Sequence, residues 1–167
     1  MTFWNQAVLE PKRNFRFKIE KSGWGDQAIW WWANSVDKPS FNVTNNEYQL
    51  INHKFKYPGV VSWNNIQMTL ADIGSGGPNS IVVLEKELSK IGYKRPDKEA
   101  MKGVSKSDSM VSNLIIEQID ADGKTIDKFT LIGAFITSVS YSSLSYSSDD
   151  ISEVTLEIAY DYANYEN

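Results

Sequence analysis

The chain carries 167 residues, a length that fits one folded domain, and its 41% apolar and 13% aromatic content excludes a disordered polymer. It has no cysteine, which excludes disulfide staples, thiolate metal sites and thiol nucleophiles, so stability must come from packing or assembly. A formal charge of −4 gives no net attraction for nucleic acid, although Lys12, Arg13, Arg16, Lys18 and Lys21 gather near the start and no Lys or Arg follows Lys128.

The N-terminal MTFWNQAVLEPKRNFRF lacks the apolar core of a signal peptide, and no stretch approaches the ~20 apolar residues of a membrane helix, so a soluble cytoplasmic chain is expected. In NFRFKIEK, residues 14–21, Phe15, Phe17 and Ile19 alternate with Arg16, Lys18 and Glu20, which predicts a strand with one wet face. The turn-like SGWGD leads into QAIWWWANSV, residues 27–36, a second strand ended by DKP. Alternation sends Trp30 and Trp32 to one side of it and Trp31 to the other, so one side enters the core and the other needs a cover. SFNVT and EYQLINHKFKY predict the arms of a hairpin about Asn45-Asn46, apolar on both faces, with Ile51, His53, Phe55 and Tyr57 on one of them.

PGV, residues 58–60, predicts a turn, and SWNNIQMTLADI a strand with Ile66, Met68 and Leu70 on one side. The period then changes. Ile81, Leu84, Leu88 and Ile91 form a helix stripe over 79–92, capped by Asn79 or Ser80 and stopped by Gly92 with Lys94, Arg95 and Pro96 behind it. Residues 94–112 read as a long loop. NLIIEQIDADGKTIDKFTLIGAF predicts a hairpin about a two-residue Asp122-Gly123 turn, and ITSVSYSSLSYSSDD alternates in part. SEVTLEIAYDY is a closing strand with Val154, Leu156, Ile158, Tyr160 and Tyr162 on one side and Glu153, Glu157 and Asp161 on the other. Many strands, one helix and no βαβ alternation predict a mainly antiparallel β-sandwich or partly closed barrel with one packed α-helix.

Residues that carry chemistry are sparse. His53 is the single histidine, and a lone strand histidine without cysteine builds no transition-metal site. DADGK lacks the later acidic positions of a calcium loop, and GSGGP lacks the Lys and Ser/Thr of a phosphate cradle. Glu157 and Asp161 share a strand face, where glycosidase-like carboxylates would sit, but a solvated acidic face is the commoner use. No enzyme and no cofactor are expected. The IWWWA run would suit a sugar-stacking platform, yet its place between Ile29 and Ala33 favours burial.

Several segments, in order, resemble the tail tube protein of contractile-tailed bacteriophages. They are LEPKRNFRFKIE, ANSVDKPSFNV, NHKFKYPGVVSWNNIQMTLAD with the helix after it, and FTLIGAFITSVSYSSLSYSSDDISEVTLEIAYDY, together covering almost the whole chain. The resemblance rests on the series rather than on one motif. It implies one tail-tube domain over residues 1–167, with two packed β-sheets and a helix. It also implies six copies per ring, and rings stacked into a hollow tube that double-stranded DNA traverses without specific binding. The partners implied are the chain itself, tail sheath and baseplate proteins, with no membrane. The place implied is the virion tail, assembled in the host bacterial cytoplasm. Expected subunit-interface residues are Trp30, Trp31, Trp32, Phe41, Val43, Tyr48 and Leu50, the resemblance placing an inter-ring contact in the 37–57 part of the chain. Glu153, Glu157 and Asp161 either pair with Arg16 and Lys18 or line an acidic lumen. The alternatives are a baseplate or tube-initiator protein of the same fold, and a Trp-rich carbohydrate-binding β-module.

Overall fold

A computed structural model describes residues 12–21, 32–74, 79–90, 92–93, 103, 113–147 and 149–167. Among the described residues ten strands and one helix follow in the order β1 (Phe17–Lys21), β2 (Ala33–Val36), β3 (Phe41–Leu50), β4 (His53–Trp63), β5 (Ile66–Ala71), α1 (Ser80–Lys90), β6 (Leu114–Ile119), β7 (Thr125–Ile132), β8 (Phe135–Tyr141), β9 (Glu153–Ala159) and β10 (Tyr162–Glu166). Every ladder is antiparallel. One sheet runs β1-β6-β7-β10, a second runs β2-β5-β9-β8, and β3 pairs only with β4. The expected mainly β architecture with a single helix is the one that forms.

The core sits between the two four-stranded sheets. In β5 the alternation read from the sequence places Ile66, Met68 and Leu70 at no more than 1% exposure, directly opposite Ile158, Leu156 and Val154 of β9. Ile19, Leu114, Ile116 and Leu131 of the first sheet belong to the same apolar cluster, as do Val83 and Leu84 of α1. Each fully buried aliphatic side chain there contributes about 1.5–3 kcal/mol of transfer free energy. The helix is capped as expected: Asn79 Oδ1 accepts from the Ile81 and Val82 amides, and Gly92, at φ 103, donates to Ser89 while Tyr93 donates to Leu88. Its buried side differs from the expected stripe. Ser80, Val83, Leu84 and Glu87 face inward, while Ile81 and Leu88 are exposed.

The closing segment also differs from expectation. Val154, Leu156 and Ile158 do share the core face of β9, but the chain then turns at Tyr160-Asp161 and enters β10 in the other sheet. It runs beside a second crossing, where β7 leaves one sheet and β8 joins the other through Gly133-Ala134. Ile132 pairs with Tyr162, Phe135 pairs with Ala159, and the Asp161 amide donates to the Ile132 carbonyl at 2.9 Å. The four strands are therefore one long two-stranded ribbon bent across both sheets. Gly133 makes the bend at φ 67, where a Cβ would also lie 2.7 Å from Asp161 Oδ2.

Two turn expectations fail in the same hairpin. Asn45-Asn46 and Pro58-Gly59 are not turns but lie inside β3 and β4, and the chain reverses at Ile51-Asn52 between the paired Leu50 and His53. Pro58-Gly59 coincides with a register shift. There Thr44 Oγ1 replaces a ladder acceptor for the Val60 amide at 2.8 Å, and only glycine leaves it room, since a Cβ on Gly59 would lie 2.4 Å from that oxygen. The β6–β7 hairpin forms where expected, but over Asp120–Lys124 rather than two residues, with Asp120 Oδ1 accepting from the Asp122 and Lys124 amides. GSGGP and the 94–112 loop lie largely outside the described residues.

Two substitutions test this architecture in urea melts. Leu156→Ala is expected to cost about 2–5 kcal/mol by opening the layer between the sheets. Gly133→Ala is expected to cost roughly 1–2 kcal/mol, because a side chain is strained in the left-handed backbone at that position. Unchanged midpoints would contradict the placement of both residues.

Candidate assembly surface

The residues with potential chemistry are dispersed. His53 sits at the outer end of the β3–β4 hairpin, its ring edge-on to Phe55 with centroids 4.7 Å apart. Among the described residues no group of three or more His, Cys, Asp or Glu is placed to hold a metal, and no helix is long and apolar enough to cross a membrane. The surface is where this chain departs from an ordinary small β-protein.

All ten residues of β3 are exposed, and of β4 only Gly59 and Trp63 are partly covered. At about 3.3 Å per residue the hairpin is roughly 33 Å long. Its base is tied to the sandwich: Asn64 donates to the Ser40 carbonyl at 2.9 Å and, through Nδ2, to Ser40 Oγ at 3.0 Å, while the Trp63 ring packs between Phe41 at 5.2 Å and Tyr160 at 5.9 Å. Beyond the base, cross-strand register sorts the side chains in a way that simple alternation did not reveal. On one face Phe41 opposes Trp63 and Val43 opposes Val61, but further out the same face carries Glu47 opposite Lys56 and Gln49 opposite Lys54. The other face is the reverse, with Asn42 opposite Ser62 at the base and Asn46, Tyr48 and Leu50 opposite Tyr57, Phe55 and His53 toward the tip. The extra residue in β4 at Gly59-Val60 keeps these rows aligned across the register shift. The apolar surface thus changes sides halfway along the hairpin. Phe41 and Val43 therefore form one patch and Tyr48 and Leu50 another on the opposite face, so both faces carry apolar residues as expected, but at different points along the hairpin.

Trp32 does not join them. It is 54% exposed and immediately precedes β2, whose Ala33 opposes Leu70 near the end of β5, whereas the hairpin leaves from the other end, beside Val36 and Ile66. Trp30 and Trp31 lie outside the described residues. At the Trp32 end of the second sheet the β8–β9 connection, residues 142–152, carries Leu144, Tyr146 and Ile151 in full or nearly full exposure. Sequence reading missed these three. The signal was present as isolated large apolar residues in a Ser- and Asp-rich run with no alternation to bury them.

The outer faces of the two sheets differ in charge. Across the first sheet Lys18, Glu117, Lys128 and Glu166 stand directly opposite one another on β1, β6, β7 and β10, with contacts of 2.8 Å from Lys18 to Glu117 and 3.1 Å from Lys128 to Glu166. The expected pairing of Lys18 with the last-strand acids is replaced by this row, because β1 and β9 belong to different sheets. On β9 Glu153 accepts from Asn34 Nδ2 at 2.8 Å and Glu157 from Asn65 Nδ2 at 2.9 Å. The outward residues around them are Gln67, Thr69, Thr155, Ser138 and Ser140, and the paired strands of this face contain no Lys or Arg. Asp161 lies in the bend between β9 and β10.

Three acids are buried among the described residues, Glu87, Glu117 and, most of all, Asp127. Asp127, 3% exposed, is gripped by Lys12 Nζ at 2.5 Å and Tyr165 Oη at 2.8 Å, and the Lys12 hydrogen bond holds its carboxyl below the usual range against the opposing effect of burial. Burial pushes the Glu117 carboxyl up, but hydrogen bonds from Lys18 and Thr125 bring it down on balance.

No protein-family model matches the chain, and no curated protein matches it. Solved structures do. A chain from the sheath/tube terminator of the extracellular contractile injection system PVC, in the extended state, superposes with a TM-score of 0.70 at 18% identity, covering 96% of this chain and 100% of that one. A chain of the tube-terminating cap of the anti-feeding prophage gives 0.69 at 18%, over 96% and 93%. A chain of the PVC sheath-tube complex in the extended state gives 0.66 at 18%, over 99% and 98%. The fold resembles that of chains in contractile injection assemblies, in line with the tail-tube resemblance read from the sequence.

The Asp127 grip has a pH signature. A carboxyl depressed in the folded state adds stability that is complete above its unfolded pKa, about 3.9, and is lost as pH falls through the lower folded value. Wild-type protein is therefore expected to lose more stability between pH 5 and pH 2 than Asp127→Asn, which starts less stable at pH 7. Parallel stability curves for the two proteins would contradict the grip.

Proposed function

We propose that the chain is the self-assembling tube subunit of a bacteriophage contractile tail, a single tail-tube domain forming six-membered rings that stack into a hollow conduit. One observation carries this reading: a hairpin of two long strands, with two separate apolar patches and no cover, projects from a fold shared with chains of contractile injection assemblies. Contiguous exposed apolar surface of this kind marks an interface. Phe41, Val43, Tyr48 and Leu50 supply it at one end and the exposed Trp32 near the other, and Trp30 and Trp31 are proposed as further subunit contacts. The part is structural, not enzymatic, with tail sheath and baseplate proteins as further partners in the virion after assembly in the host cytoplasm.

The cation-free outer face of the second sheet, with Glu153 and Glu157, suits a lumen, and Asp161 extends that acidic lining at the bend. Double-stranded DNA would be released from such a wall, since each phosphate neutralised by Lys or Arg adds salt-dependent affinity that would hold it back. A second reading, a tube-terminating subunit of the same fold, draws on the two matched assemblies described as a sheath/tube terminator and a tube-terminating cap.

Sedimentation and negative-stain micrographs of concentrated protein test both. Long hollow tubes are expected; single rings that never lengthen would favour the terminator, and a stable monomer that binds glycans would return the reading to a carbohydrate module. Replacing Phe41 and Val43 together by Asp is expected to leave circular dichroism and melting nearly unchanged while abolishing tubes, and tubes of normal length from that double variant would overturn the role of the hairpin base.

A further inference from the structure

The inward face of the first sheet turns polar at one end. Gln118 of β6 and Asp127 of β7 stand directly opposite each other, two residues beyond the opposed pair Ile116 and Phe129, and so lie on the core side of the sheet. They are 5% and 3% exposed. A carboxylate so placed must be matched by a cation and filled with hydrogen bonds, since a buried charge without a partner is strongly destabilising.

Two segments of the chain meet on this pair. The first is the stretch before β1. There the Arg16 carbonyl accepts from the Ile119 amide at 3.1 Å, the Arg13 carbonyl accepts from Gln118 Nε2 at 3.0 Å, and Lys12 Nζ reaches Asp127 Oδ2 at 2.5 Å. The second is the link from β2 to β3. Asp37 fixes its start on β5, donating from its amide to the Gln67 carbonyl at 2.9 Å and accepting through Oδ2 from the Gln67 amide at 3.1 Å, and Ser40 joins it to the hairpin base through Asn64. Between these anchors Lys38 donates to Gln118 Oε1 at 2.7 Å, its ammonium 5.9 Å from the Phe129 ring centre. Gln118 is therefore shared, its nitrogen holding the stretch before β1 and its oxygen the hairpin stem. Lys38 rests on a neutral amide while the carboxylate directly across the ladder, ~5 Å away between Cβ atoms, is taken by Lys12. Tyr165 Oη fills the other oxygen of that carboxylate at 2.8 Å. The Lys12 hydrogen bond leads the effects that keep the Asp127 carboxyl below its usual range against burial, and the charge of Lys38 acts in the same direction.

We propose that Lys12 and Lys38 are alternative partners of one buried carboxylate, so that withdrawal of the stretch before β1 draws Lys38 from Gln118 to Asp127 and carries the hairpin stem with it. Lysine suits such an exchange, being a point charge on a flexible stem with no fork geometry to lose. The carboxylate keeps a cation in both states, which is what allows the second state to be populated. The pose of the hairpin then depends on whether the residues before β1 are seated. The device belongs to the single subunit and stands whether or not tubes form.

A double-mutant cycle in the dilute protomer tests it. Lys12→Met and Lys38→Met are each expected to lower the folding equilibrium constant modestly, because either lysine can serve the carboxylate. The double variant is expected to lose at least tenfold more than the two single losses multiplied together, and in an Asp127→Asn background that excess is expected to vanish. Carboxyl-carbon NMR reads the exchange itself: Asp127 is expected to titrate below the ordinary carboxyl range in the wild type and in both single variants, and above it only in the double variant. Lys12→Met is also expected to shift the amide resonances of residues 38–42, and Lys12→Arg to leave them in place. Independent, multiplicative losses, an Asp127 carboxyl already above the ordinary range in Lys12→Met, or unmoved 38–42 resonances in that variant would each overturn the proposal. Should the double variant fail to fold, the Lys12→Met titration and resonances decide the matter alone.

Discussion

The ladder between β5 and β9 is the interaction from which the other parts take their positions. Six consecutive residue pairs join these central strands, and the three inward pairs, Ile66 with Ile158, Met68 with Leu156 and Leu70 with Val154, are all but fully removed from solvent. Each end of this ladder emits something. From the Ile66 end the chain extends backward into the β3–β4 hairpin and from the Ile158 end forward into the bend that builds β10. From the Ala71 end it proceeds to α1, and from the Glu153 end backward into the Leu144-bearing loop. Loss of the apolar layer would therefore release the projecting surfaces together with the core.

That layer also sets a limit. It is built mostly of Ile, Leu, Val and Met, with Tyr160 as its one fully enrolled aromatic and Phe17, Trp63 and Phe129 at its margin. The chain carries six Trp, eight Tyr and seven Phe. Phe41, Tyr48, Phe55, Tyr57, Tyr146 and Trp32 remain exposed in the single subunit. Aromatic side chains are costly to leave in water in such number and are enriched among the dominant contacts of interfaces. The surplus is intelligible when the subunit is a half-finished object whose remaining apolar surface is buried by copies of itself.

What could be read in the sequence follows from which side chains are asked to be buried. β5 and β9 announce themselves because one solvated and one buried face impose strict alternation on Ile66, Met68, Leu70, Val154, Leu156 and Ile158. α1 announces itself by a change of period and by Asn79 and Gly92 at its ends. The hairpin does not, because neither face of β3 is buried in the subunit and nothing forces a simple pattern on it. Asn45-Asn46 and Pro58-Gly59 then look like turns, when Thr44 and a bulge accommodate the second pair within the strand. The passage from β9 to β10 is invisible for the opposite reason. Tyr160 and Tyr162 continue the alternation of β9, so periodicity runs unbroken through a bend that changes sheets. Of the expected interface, Phe41, Val43, Tyr48 and Leu50 were chosen from a hairpin read as apolar on both faces and from the tail-tube resemblance, and the structure leaves all four exposed. Their division between opposite faces depends on cross-strand register, which a single strand's sequence does not contain, and the exposed loop residues Leu144, Tyr146 and Ile151 were signalled only as isolated large apolar residues in a Ser- and Asp-rich run.

Amide hydrogen exchange, compared between dilute protomer and assembled protein, reads the central claim most directly, since it separates structure held by the subunit's own core from structure completed by a neighbour. The expected result is slow exchange in β5 and β9 under both conditions, with amides of residues 45–57 exchanging quickly in the dilute protomer and becoming strongly protected on assembly. Protection of the hairpin equal to that of β5 and β9 in the dilute protomer, or no gain on assembly, would contradict it.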